Sequence, residues 1–142
     1  MTELSLAKAK IIVDTAIDKA AELNLKPLGI AVLDAGGHLV AFQRQDGASF
    51  LRPQMASGKA FGALALGMGS RKLDAFARDR PHLMAGVLDV SGGRIVPVPG
   101  GVLIRDGAGA ILGAVGISGD TSDNDEAAAI AGIEAAGFLA EG

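Results

Sequence analysis

The chain has 142 residues, 49 % of them apolar and 20 % charged, the make-up of one globular domain with its own core. A net charge of −3 argues against a phosphate-backbone partner, and five Phe with no Trp or Tyr remove the aromatic platform that single-stranded nucleic acid needs. The absence of cysteine rules out thiol catalysis, disulfides and Cys-ligated metals or clusters, and two histidines fall short of a three-His metal site.

Met1 leads straight into a polar, amphipathic segment, and no apolar run approaches about 18 residues. The expectation is a cytoplasmic protein with no membrane segment. Residues 5–24 have helical spacing, with Leu6, Ala9, Val13, Ala16, Ile17 and Ala20 on one face, Ser5 as N-cap and Pro27 beyond the end. Two β-rich runs follow, Leu28–Leu33 and His38–Gln45, joined by Asp34-Ala35-Gly36-Gly37, which reads as a hairpin turn with a positive-φ glycine. Strand alternation predicts His38, Val40, Phe42 and Arg44 on one face.

Pro53 opens a second helix, whose small face of Ala56, Ala60, Ala63 and Gly67 admits close backbone approach. Residues 71–94 read as a short helix around Leu73, Phe76 and Ala77, then a break at Pro81 and a loop. A second hairpin, Val102–Arg105 and Ile111–Ser118 around Asp106-Gly107-Ala108-Gly109, echoes the first. Its glycine spacing does not fit a dinucleotide loop, because a strand follows. Thr121 to Asn124 hold the N-cap of a last helix reaching about Leu139, with Asp123, Asp125 and Glu126 at the positive end of its dipole. Helices flanking an antiparallel sheet in one α+β domain, 1–142, is the expected architecture.

Across the first hairpin, Gly29-Ile30-Ala31-Val32-Leu33-Asp34-Ala35-Gly36-Gly37-His38, and on through Arg44-Gln45-Asp46-Gly47, the sequence resembles the GlcG/HbpS family. Pro99-Gly100-Gly101, the run Ile111–Gly119 and Asp125-Glu126 are similar to that family's second signature, and Lys59-Ala60 to its middle helix. The resemblance implies a profilin-like fold, a five-stranded antiparallel sheet in α/β/α layers, assembled as a homo-oligomer. It also implies haem as the suggested ligand. The first helix lacks the histidine that one haem-binding relative uses, and Leu103 stands where the family usually has proline.

Arg44 and Lys59 are the leading polar candidates, a bidentate fork and a point charge suited to clamping a carboxylate or propionate. They are expected to line one pocket between the first hairpin and the middle helix, with His38 at its edge. His38 is a candidate iron ligand or proton carrier, and Lys59 a candidate base or Schiff-base amine. His82, two residues from Met84, is the other candidate ligand to iron. Ser91-Gly92-Gly93 and Pro99-Gly100-Gly101 read as ordinary turns or, alternatively, as backbone N–H groups offered to an anion; on the second reading Gly100 and Gly101 join the ligand-binding set.

The leading reading is a homo-oligomeric protein that binds a small molecule, haem or another acidic organic ligand, with neither nucleic acid nor membrane as partner. The alternatives are a cofactor-independent catabolic isomerase or lyase acting on a small oxygenated acid, in which Lys59 or a histidine moves a proton, and a non-catalytic oligomeric accessory module. Small-residue faces on the second helix and at Ala128, Gly132 and Ala135 on the last are the sequence argument for assembly.

Overall fold

The computed structural model describes residues 3–142. Its elements run α1 (Leu6–Glu22), β1 (Gly29–Asp34), β2 (Leu39–Arg44), α2 (Arg52–Leu66), α3 (Ser70–Asp79), α4 (Pro81–Val90), β3 (Gly101–Arg105), β4 (Ile111–Ser118), α5 (Ser122–Ala135) and β5 (Leu139–Glu141). The strands form one sheet in the order β2-β1-β4-β3-β5, every neighbouring pair antiparallel. Helices α1 and α5 cover one face, and α2 covers the other with α3 and α4 packed outside it. This is the expected α/β/α layering. No helix among the described residues is long and apolar enough to cross a membrane.

β1 is buried on both faces, which is why its apolar run does not alternate. Ile30 and Val32 point into the core with Ile12, Val13 and Ile133, while Leu33 packs with Ala60, Ala63 and Leu103 under α2. The small face of α2 lies directly on the sheet: a Cβ at Gly116 of β4 would collide with the Ala56 carbonyl, and one at Gly101 with the Lys59 carbonyl. Gly132 of α5 faces the Ile12 carbonyl of α1 in the same way. Most of the small-residue surface that suggested assembly is therefore consumed inside the chain.

Both hairpin turns form as expected. Asp34 Oδ1 accepts from the Gly36 and His38 N–H groups at 2.9 and 3.0 Å, and Gly37 has φ +82°. Asp106 Oδ1 accepts from Ala108 and Ala110, both at 2.9 Å, and Gly109 has φ +88°. Each turn is closed by its own aspartate. Ser5 and Thr121 cap α1 and α5, accepting from Lys8 and Asn124.

Three expectations need correction. Residues 71–90 hold two helices, because Pro81 opens α4 at the position where its missing N–H costs nothing. The last helix ends at Ala135; Gly137 turns the chain at φ +89°, and Leu139–Glu141 pairs with β3 as the fifth strand. The face assigned to β2 is broken by a bulge opposite Val32 and Leu33. Phe42 and Arg44 pair with Ala31 and Gly29, whereas Val40 packs into the α1/α5 core and His38 precedes the strand.

Asp120 joins the α1–β1 connection to the start of α5. Its carboxylate accepts from the Lys26 N–H, Asn124 Nδ2 and the Thr121 N–H, each at 2.8 Å. Those bonds, the Lys26 one foremost, bring its pKa from the usual 3.8 down to about 2. A carboxyl held below its unfolded value stabilises the fold above that value and loses the effect as pH falls through the folded one. Asp120→Asn is expected to be less stable than the parent at neutral pH, with the gap closing between 3.8 and about 2 in chemical denaturation across that range.

Candidate functional site

A cleft of about 530 Å³ opens on the α2 side of the sheet, within the range of small-molecule sites. The β1–β2 hairpin supplies Leu33, Gly37 and Leu39 to one wall, and α2 supplies Pro53, Gln54, Met55, Ser57, Gly58 and Phe61 to another. Gly93, Arg94 and Val96, from the strap between α4 and β3, close the third. The walls are mostly apolar. None of these residues is a carboxylate, a histidine or a lysine.

The strap is fixed from both ends. Gly92 and Gly93, at φ +79° and +73°, stop α4, their N–H groups donating to the Asp89 and Leu88 carbonyls at 3.2 and 2.7 Å. Those donors are spent on the helix end, so Ser91-Gly92-Gly93 is an ordinary turn and not the anion cradle that was its alternative. Beyond them the strap presses onto α2, with the Val96 N–H donating to the Gly58 carbonyl at 3.2 Å. A Cβ at Gly58 would lie 2.6 Å from both the Arg94 carbonyl and Val96 Cγ2, and one at Gly62 would lie 2.8 Å from Ile95 Cγ2. The two glycines are the seat of the strap.

Arg94 is thereby set over the Phe61 ring, its guanidinium carbon 3.9 Å from the ring centroid. The contact is a cation–π one, and Arg94 remains exposed to solvent. No carboxylate lies within ion-pair distance of Arg94 among the described residues. An aromatic surface and an open cation thus meet at the cleft.

The residues singled out from sequence are not gathered there. Lys59 is on α2 but only 2 % exposed, its Nζ donating to the Ile117 carbonyl at 2.9 Å and to Asp125 Oδ2 at 3.1 Å. Burial pushes its amine below the ordinary lysine range, and the Asp125 carboxylate opposes that shift. Asp125 Oδ1 in turn accepts the Asp120 N–H at 3.0 Å. Gly100 and Gly101 pack on Lys59, and the Gly101 N–H is taken by Ser70 Oγ at 2.7 Å. Arg44 is exposed and edges a different hollow with Ile17, Leu25 and Pro27. The expected pocket between hairpin and middle helix exists, but Arg44 and Lys59 do not share it.

His38 sits in the hairpin turn between two lining residues, with a side chain 81 % exposed and Nδ1 3.2 Å from Asp34 Oδ1. His82 is exposed in the first turn of α4. Among the described residues no three His, Cys, Asp or Glu side chains converge as a metal site. Sequence reasoning missed Arg94 and Phe61. Their signal was present: a cation directly after a double-glycine helix stop, and one of five aromatics bracketed by glycines three residues before and one after.

Residues 4–134 match the family described as haem degrading protein HbpS-like. A 15.0 kDa protein of the dhaT–dhaS intergenic region of Citrobacter freundii is 30 % identical over 122 residues, 86 % of this chain and 84 % of that one. The crystal structure of Klebsiella pneumoniae protein ORFY superposes with a TM-score of 0.85 at 25 % identity, covering 96 % and 92 % of the two chains. A double mutant of Streptomyces reticuli HbpS gives 0.80 at 26 %, covering 94 % and 87 %. The PduOC:heme complex shares the fold, with a TM-score of 0.85 at 24 % identity over 96 % of each chain.

Two outcomes test this geometry. Lys59→Met strands the Asp125 carboxylate in the interior and is expected to cost about 3–5 kcal/mol in urea denaturation, whereas Lys59→Met with Asp125→Leu recovers most of it. Gly58→Ala forces the strap off α2 and is expected to cost about 1–3 kcal/mol, with the Arg94 Nε–H resonance moving away from its ring-shifted position.

Proposed function

Taking as premise that the chain belongs to the HbpS-like family of haem-degrading proteins, we propose that it binds a small, largely apolar ligand carrying an acidic group in the cleft beside α2. The observation that carries this reading is Arg94, stacked on Phe61 at the rim of an apolar cleft with no carboxylate to satisfy it. The apolar walls favour the body of the ligand, and the guanidinium edge offers its carboxylate a two-pronged, charge-assisted contact. Haem is the ligand that the family description brings forward.

A tetrapyrrole fits these residues in part. Its ring matches the apolar walls and the Phe61–Arg94 surface, and a propionate matches the Arg94 donors. Iron finds less: Met55 is the one lining side chain with a donor atom suited to it, and neither histidine lines the cleft. Proton-transfer chemistry gains no support there either, since among the described residues no acid, amine or imidazole borders the space. The same reading takes the protein to act in the cytoplasm as a homo-oligomer. Exposed Leu39, Leu51 and Phe50, the last at 85 %, support a shared apolar surface next to α2.

Titration with hemin, followed at the Soret band, tests the proposal. Arg94→Ala is expected to weaken binding by about tenfold or more, the effect of losing a charge-assisted bond of about 1.5–3 kcal/mol, with the melting temperature unchanged. Parent-like affinity in Arg94→Ala and in a cleft-filling Ser57→Trp variant would place the ligand elsewhere.

A further inference from the structure

Resting on the cleft as the ligand site, we infer that this chain recognises a tetrapyrrole by its ring face and a carboxylate, with no side chain of the chain ligating the central metal. Neither histidine lines the cleft. His38 stands between Gly37 and Leu39 but is not itself a lining residue: its ring is turned to solvent, 81 % exposed, with Nδ1 3.2 Å from Asp34 Oδ1. His82 lies in the first turn of α4, whose far end delivers the strap; Ser91 is nine positions further on, roughly 13 Å of helical rise. The remaining soft donor, the Met55 thioether, has no nitrogen ligand opposite it among the lining residues.

What the cleft does provide is independent of a metal. The flat Phe61–Arg94 pair matches a planar conjugated ring, and Leu33, Leu39 and Val96 match its apolar periphery. Arg94 alone supplies positive charge, so the acidic substituent carries the polar part of recognition. Selectivity then follows ring shape and the acid group. Metal-free and iron-bearing porphyrins become equivalent ligands, and masking the acid becomes the damaging change.

The experiment compares hemin, protoporphyrin IX and protoporphyrin IX dimethyl ester by calorimetry on the intact protein. The first two are expected to bind within about threefold of each other, and the ester about tenfold or more weaker. The hemin spectrum is expected to be the same in the parent and in His38→Ala, His82→Ala and Met55→Leu. Hemin binding at least tenfold tighter than protoporphyrin IX, or an axial-ligand band lost in one of those variants, would overturn the inference while leaving the cleft reading intact. Equal binding of the ester would overturn the carboxylate half. Failure of all three to bind would sink the cleft reading itself, a result separable from either.

Discussion

Helix α2 has to touch backbone on two sides at once, and most of the architecture follows from that constraint. On its inner side the carbonyls of Ala56 and Lys59 rest against Gly116 of β4 and Gly101 of β3. On its outer side Gly58 and Gly62 take the strap from Arg94 to Val96. Where it meets another backbone so closely the helix cannot carry large side chains, which explains Ala56, Gly58, Ala60, Gly62 and Ala63 in α2 and the glycines opposite it. Phe61 is the large side chain that projects between the two surfaces, and the cleft forms along it.

The buried ion pair is a second product of this closeness. With α2 so near the sheet, the Lys59 side chain is enclosed and reaches the Ile117 carbonyl near the end of β4 and the first turn of α5. Asp125 meets it there and also accepts the Asp120 N–H, so one carboxylate joins the layers on both faces of the sheet. Such a pair contributes less net stability than its Coulomb energy suggests, because both charges have left water. Its physical effect is to fix one arrangement of α2 relative to α5, since any other arrangement strands a charge in the interior.

Local chemistry made much of the fold legible from sequence. The Asp/Gly turns, the Ser5 cap, an N-cap within Thr121 to Asn124 and the helical spacing of α1 are short-range signals, and the structure has each of them, the last cap at Thr121. The α3–α4 pair was hidden because Pro81 carries opposite meanings inside a helix and at its first turn, and only the tertiary packing of Leu73, Met84 and Ile95 decides between them. The site was harder still. Lys59 and Arg44 drew attention as charges on a helix and a strand, but burial and partner identity are long-range facts: Asp125 lies 66 residues from Lys59 in the chain. The pairing of Phe61 with Arg94 spans 33 residues (94 − 61) and depends on glycines whose importance shows only when another backbone is seen lying on them.

The glycine seat also divides the cleft into parts that evolution can and cannot revise. At Gly58 and Gly62 any side chain collides with the strap, so the floor of the cleft is closed to variation. Gln54, Leu39 and Arg94 are lining residues whose side chains reach solvent, and exchanging them disturbs no backbone contact. A lineage built on this scaffold is therefore free to trade one ligand for another at the rim while inheriting the same floor, and divergence in what relatives bind would be written in a handful of rim positions rather than in the fold.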